Sequence, residues 1–245
     1  MLFLVTMLLA AQSAYSQQGV TWIGLSADAG YGSGYLFNSQ AYFGDDNVSW
    51  SFFSPSMNYG GSLNFSFNDG FFYVRLEGSA MSLSQVYGVN NGSTLEDHQA
   101  NLDMYNFGLV FKLRGNSGLY AEFGPQYSML KSAVLDGNDV SQHLAPKFSS
   151  AVLGIGFMPY SGQFVEVSLG VRAVASLGGI VVDDYNFYQD SPNAGSYATN
   201  NVFSVAFMPV IDVNFLIAYM GRASCGAFRV MLNSGSGTRK VKIRR

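Results

Sequence analysis

The sequence predicts an all-β fold, an eight-stranded antiparallel up-and-down transmembrane β-barrel, on three observations. Apolar and polar residues alternate with period two along most of the chain. The connections between alternating stretches are long and short in turn. The apolar faces are large and aromatic, whereas the polar faces carry Gly, Ser, Asn and few charges. Composition agrees: the 245 residues are 48% hydrophobic, 15% aromatic and only 12% charged, against about 25% charged in a soluble domain. Such an aromatic load collapses in water, which excludes disorder. A single Cys excludes a disulfide scaffold and a Cys-based zinc site.

The chain divides into three parts. Residues 1–16 read as a signal peptide: Leu2 to Ala11 are apolar but too few to span a bilayer, and Ala14-Tyr15-Ser16 supplies small residues for a cut after Ser16. Residues 17–232 form the barrel and 233–245 a basic C-terminal tail. No stretch after Gln17 reaches the length of a transmembrane helix.

Thr21, Ile23, Leu25, Ala27 and Ala29 share one face of a first strand, and a long loop near 32–56 follows. From Met57 to Asn68 the odd positions are Met57, Tyr59, Gly61, Leu63, Phe65 and Phe67, and the even ones Asn, Gly or Ser. Asn68-Asp69-Gly70 is a tight-turn signal. Phe72, Val74, Leu76, Gly78 and Ala80 then oppose Tyr73, Arg75, Glu77 and Ser79, ahead of a second long loop near 87–99. Asp103, Tyr105, Phe107, Leu109, Phe111 and Leu113 oppose Met104, Asn106, Gly108 and Lys112. A short turn at Arg114–Ser117 leads to Leu119, Ala121, Phe123, Pro125, Tyr127 and Met129, opposed by Tyr120, Glu122, Gly124, Gln126 and Ser128. The third long loop covers 133–147. Ala151, Leu153, Ile155 and Phe157 come next, then a turn at Tyr160–Gly162. Val165, Val167, Leu169 and Val171 oppose Glu166, Ser168, Gly170 and Arg172. After a loop near 176–201, Phe203, Val205, Phe207, Ile211, Val213 and Phe215 oppose Ser204, Ala206, Asp212 and Asn214.

Short turns at one end and long loops at the other are the layout of an outer-membrane barrel. A β-sandwich would bury the apolar faces and fill the others with Lys and Glu. Here the polar faces hold Gly, Ser, Asn and a few charges, so the apolar faces are assigned to lipid and the polar faces to a narrow lumen. A ten-strand version is the alternative, reached by splitting the last strand at Pro209 and pairing residues 223–232.

Seven charges fall on the lumen face: Arg75, Lys112 and Arg172 against Glu77, Glu122, Glu166 and Asp212. Side chains fill an eight-stranded barrel, and buried charge persists only when paired. We read a salt-bridge network with at least one cross-strand pair from Arg75 or Arg172. A proton or ion path is the other reading.

The signal peptide, eight alternating strands and charged lumen resemble the small outer-membrane β-barrel proteins of the OmpA/OmpX type. The segment Gly221-Arg222-Ala223-Ser224-Cys225-Gly226, with Phe228-Arg229-Val230-Met231-Leu232, resembles the end of the PorT-like barrels of Bacteroidota. The resemblance implies architecture and localisation in the cell outer membrane, and it carries no catalytic motif. Many such barrels end on a terminal aromatic; this chain continues through Ser234–Gly237 into Arg239, Lys240, Lys242, Arg244 and Arg245, which places the assembly signal internally, near Tyr219.

The long loops hold Asp45, Asp46, Glu96, Asp97, Asp136, Asp139, Asp183, Asp184 and Asp190. This acidic rim excludes nucleic acid as a partner. It is read as solvated loop in preference to a Ca²⁺ or Mg²⁺ site, and no cofactor or metal is expected. Loop aromatics serve as an interfacial girdle or as outward contacts for protein or glycan; Tyr42, Trp50, Tyr185 and Tyr188 are the contact candidates. His98 and His143 are the only histidines, and their Ser- and Asp-rich surroundings are not read as a catalytic set. The expected function is a non-enzymatic outer-membrane protein with a plugged lumen, serving adhesion, envelope stability or a secretion assembly. The alternatives are a narrow channel and, remotely, a lipid-modifying enzyme. Expected partners are outer-membrane lipid, lipopolysaccharide and an envelope or secretion-complex protein, with the chain a monomer.

Overall fold

The computed structural model describes residues 21–51, 53–67, 71–90, 94–162, 164–183, 185–188, 191, 193, 202–222, 228–232 and 239–242. The proposed signal peptide, the Asn68–Gly70 turn, Phe52, Asp184, Asp190, Tyr197, Cys225 and the Ser234–Gly237 linker lie outside these residues.

In chain order the elements are β1 (Thr21–Asn38), α1 (Ser39–Gly44), β2 (Val48–Trp50), β3 (Pro55–Phe67), β4 (Phe72–Asn90), β5 (Leu95–Arg114), β6 (Leu119–Leu135), β7 (Asn138–Asp139), a 3₁₀ turn (Ser141–His143), β8 (Lys147–Ser161), β9 (Val165–Ser176), β10 (Val202–Arg222), β11 (Phe228–Leu232) and β12 (Arg239–Lys242). The fold is an all-β antiparallel up-and-down barrel. β1, β3, β4, β5, β6, β8, β9 and β10 pair in succession, and β10 pairs back onto β1 from Thr21–Met220 to Asn38–Val202. Eight strands therefore close the ring. β11 pairs with residues 218–222 of β10 and β12 with β11, so ten strands lie along the sheet path. The two extra strands do not come from a break at Pro209, through which β10 runs unbroken.

The prolines act locally instead. Proline cannot donate to the ladder. On the β1 edge, pairing passes from Gly30–Val210 to Ser33–Phe207 with no rung between; beside Pro125, it passes from Gly108–Gln126 to Phe111–Phe123. A glycine occupies each gap because the backbones close in there. A Cβ on Gly32 would collide with the Phe207 carbonyl oxygen, and one on Gly124 with that of Leu109.

The strand faces are inverted relative to a soluble protein. Tyr59, Phe107, Leu153 and Ile155 point outward and are more than half exposed, while Arg75 and Arg172 point inward with 1% and 2% exposure. This inversion covers only the half of the barrel nearer the short turns. Further along β4 the inward positions become Met81, Leu83, Tyr87 and Val89, all buried, while outward Ser82 and half-buried Ser84 are polar. On β5 and β6 the outer surface likewise carries Gln99, Asn101, Asp103 and Ser132. Gln99 Nε2 donates to Ser84 Oγ at 3.1 Å, and Ser132 Oγ to Asp103 at 3.2 Å. A polar exterior around an apolar core is the arrangement water selects. The barrel thus has a lower storey of lipid-facing type and an upper storey of water-facing type.

That second storey corrects the expected loops. The second long connection is a continuation of the β4–β5 hairpin, paired up to Asn90–Leu95. β1 extends nine residues past Ala29 before Asn38 caps α1, its side chain accepting from the backbone N–H of Gln40 and Ala41. The third connection holds β7 and the 3₁₀ turn, reached through Asp136 and Gly137 at positive φ, the backbone of a tight hairpin turn.

Candidate functional site

The lumen of the lower storey is the first candidate. Alternation on β4, β5, β6, β9 and β10 directs Arg75, Glu77, Lys112, Glu122, Glu166, Arg172 and Asp212 into it, all buried. Arg172 is the centre. Its Nε donates to Glu122 Oε1 and its Nη1 to Glu77 Oε1, both at 2.7 Å. β9 is thereby tied across the barrel to β4 and β6. Arg75 Nη1 lies 3.1 Å from Asp212 Oδ2 and 3.6 Å from Glu122 Oε2, linking β4 to β10. Lys112 Nζ donates to Ser168 Oγ at 2.8 Å, lies 3.5 Å from Asp212 and sits 4.0 Å over the Tyr120 ring. Glu166 accepts from Tyr73 OH at 3.0 Å, from Asn214 Nδ2 at 3.0 Å and from Ser161 Oγ at 3.2 Å, with Arg114 at 3.5 Å.

Two members were not singled out from the sequence. Asp28, buried on β1, accepts from Asn58 Nδ2 at 3.3 Å and lies 3.9 Å from Arg172. Arg114, placed by the sequence in a turn, ends β5 and reaches back to Glu166. Asp28 stands among Ala27, Ala29 and Gly30, so nothing beside it marks it as charged lumen; its even register on the first strand is the signal that finds it. Among the described residues, five carboxylates and four bases now share the site. The free space among Asn64, Tyr73, Arg75, Lys112, Glu166, Ser168 and Asp212 is about 10 Å³, about room for one water.

The upper storey is plugged differently. Ile180, Val181, Phe187 and Tyr188, from the connection between β9 and β10, are buried within the apolar cluster of Leu36, Leu83, Tyr87, Leu102 and Met208. Tyr188 corrects an expectation: read as an outward contact, it is 1% exposed. Its hydroxyl donates to the Leu36 carbonyl at 2.8 Å, and its ring packs on Trp50 and Tyr87. β1 needs that donor. Above Ser33–Pro55 it has no β3 rung; Gly34 N donates to the Ser54 carbonyl at 2.8 Å, and at Leu36 side chains take over, with Gln85 Oε1 accepting from Leu36 N at 2.6 Å. Asp45, read as a solvated rim acid, is also buried; it accepts from Asn47 N at 2.9 Å and from Asn193 Nδ2 at 3.0 Å, and Ser191 donates to it as well. It joins the first connection to the last.

Of the other contact candidates, Tyr42 is exposed, Trp50 is half-buried between Tyr42 and Tyr188, and Tyr185 stacks on His143 at 4.3 Å. His143 Nδ1 lies 2.7 Å from Asp183 Oδ2, and His98 Nδ1 lies 2.7 Å from Asp136 Oδ2. His143 Nε2 faces Gln142 Nε2 at 3.2 Å rather than a hydroxyl. The hydrogen bond with His143 holds the Asp183 carboxyl below its usual range. A depressed carboxyl contributes above its unfolded value, so this contact persists at neutral pH and is lost as pH falls through the lowered value. In an NMR titration the Asp183 carboxyl midpoint should lie below the ordinary aspartate value and rise in His143→Ala; an unmoved midpoint would separate the two residues.

Three of the solved structures to which the chain is similar are a surface protein, a translocator domain and an outer membrane protein. Neisserial surface protein A shares 12% identity at a TM-score of 0.44, over 81% of this chain and 99% of that one. The translocator domain of the autotransporter NalP from Neisseria meningitidis shares 9% at 0.31, over 87% and 94%. The outer membrane protein OprG from Pseudomonas aeruginosa shares 11% at 0.32, over 81% and 94%. No family model matches the chain, and no curated protein matches it.

Proposed function

We propose that this chain is an integral outer-membrane β-barrel protein with a sealed lumen, exported by a cleaved signal peptide and without enzymatic activity. The observation that carries the reading is the inversion in the lower storey. Outward Tyr, Phe, Leu and Ile surround a lumen whose charges are paired. Water would penalise that exterior, and a bilayer requires both the apolar outside and the closed ladder. The start of β1 and the end of β10 then lie on the periplasmic side, and the α1, β4–β5 and β6–β8 connections face outward.

With the lumen filled, its work falls to the exterior: contact with outer-membrane lipid and lipopolysaccharide, and adhesion, envelope stability or membership of a secretion assembly, as a monomer. The network joins four strands or more through each arginine, which suits a structural role better than a conducting one. Kinship with the PorT-like proteins of Bacteroidota rests on the segment 221–232 alone. In planar bilayers the purified protein should show no steady conductance in molar salt. Steady openings of porin size would replace this reading by the channel, and His98→Ala-sensitive release of acyl chains would replace it by the lipid-modifying enzyme.

A further inference from the structure

The outer wall is not uniform around the barrel. On β5 the outward apolar run stops at Tyr105, with Asp103, Asn101 and Gln99 above it. On β1 it continues from Ile23 through Leu25, Ala27, Ala29 and Tyr31 to Tyr35 and Phe37, interrupted only by Ser33. At about 3.3 Å per residue and a tilt of about 40°, the β1 run rises about 35 Å, some 10 Å more than the usual apolar band of about 25 Å. The matching outward positions on β10 are Phe207, Val205 and Phe203, so the extra height belongs to the β1–β10 seam.

At that height the wall carries a groove of about 950 Å³. Tyr31, Tyr35 and Phe207 form its floor, and Tyr42, Trp50 and Phe53 from the first connection form its roof. Among the described residues, none that lines it is charged. Its rings pack in two groups: Tyr31 on Phe53 at 5.9 Å, and Phe37 on Tyr42 at 5.2 Å with Tyr42 on Trp50 at 5.0 Å. The groove therefore opens at the top of the lipid-facing band and is continuous with it.

We propose that this groove binds one acyl chain of an outer-leaflet lipid, drawn up along the β1–β10 seam and held beneath the first connection. The inference rests on the membrane reading above. The occupant follows from position and chemistry. Lipid is what adjoins the groove from below, an uncharged aromatic lining selects a hydrocarbon chain and not a headgroup, and the apolar wall rises above the usual band on this side.

The chain's two tryptophans make the test direct. Trp22→Phe leaves Trp50, in the groove roof, as the sole reporter. Phe123→Trp in a Trp22→Phe/Trp50→Phe background places the reporter on the open lipid face of β6. Both proteins, full length, are refolded into phosphatidylcholine vesicles with brominated or ordinary acyl chains. Trp50 should lose about as much emission as the reporter at position 123 does. Ser33→Phe and Ser51→Phe, which fill the groove from floor and roof, should each restore Trp50 emission. Quenching at position 123 without quenching of Trp50 overturns the groove and leaves the membrane reading intact. Quenching of Trp50 that neither filled variant relieves also overturns it. Loss of quenching at both positions overturns the membrane reading and the groove with it.

Discussion

Arg172→Met should lower the unfolding free energy in lipid vesicles by about 3–5 kcal/mol, the cost of stranding a buried charge. The reason is the number of partners. Arg172 holds both Glu77 and Glu122 at 2.7 Å, and methionine fills the volume while leaving the two carboxylates only their longer contacts to Arg75, at 3.9 and 3.6 Å. The space beside the network on the Arg75–Asp212 side, about 10 Å³, leaves room for about one water. Val167→Ala, on the outward face of the same strand, should cost well under that, because lipid follows the shortened side chain where a packed core would leave a cavity. Urea titration followed by tryptophan emission ranks the two. Equal midpoints would show that residue 172 is not an interior charge.

The second large effect is local. Tyr188→Ala removes a ring of the size whose loss costs about 3–5 kcal/mol in a core, together with the hydrogen bond to the Leu36 carbonyl. The ring packs among upper-storey side chains, so the loss falls on the upper plug and on the top of β1. Hydrogen exchange should accelerate by about two to three orders of magnitude over residues 180–188 and at Leu36, while the amides of 165–172 keep their protection. Uniform acceleration along β9 would instead show the two storeys to be one cooperative unit.

The lower storey was legible in the sequence because polarity contrast there is complete. Met57 to Phe67 or Tyr105 to Leu113 can be read one residue at a time, and the seven charged lumen residues follow from parity alone. The upper storey was not, for a physical reason. Above Ala80 the inner face turns apolar with Met81 and Leu83 while the outer face turns to Ser82 and Ser84, so the alternation changes sign, and a reading that follows one sign reports a loop. Tyr188 and Asp45 were misplaced for a related cause. They lie in connections rich in Asn, Asp and Gly, whose composition signals solvent, and only the position of Leu36, above the last β1–β3 rung of the closed ring, creates the need that Tyr188 meets. Asp28 was missed among small residues that lend no contrast.

In the membrane reading proposed above, one parity of each strand in the lower storey meets lipid and the other meets a sealed, charged lumen. Spin labels on single cysteines along β6, in a Cys225→Ser background, test it most directly in vesicles. Labels at 121, 123, 127 and 129 should collide with membrane-dissolved oxygen, and labels at 126 and 128 should be shielded from oxygen and from aqueous nickel alike. Collision rates that rise and fall with period two in this phase are the predicted result. Equal rates at both parities, or oxygen access at 126 and 128 with none at 123 and 127, would contradict it.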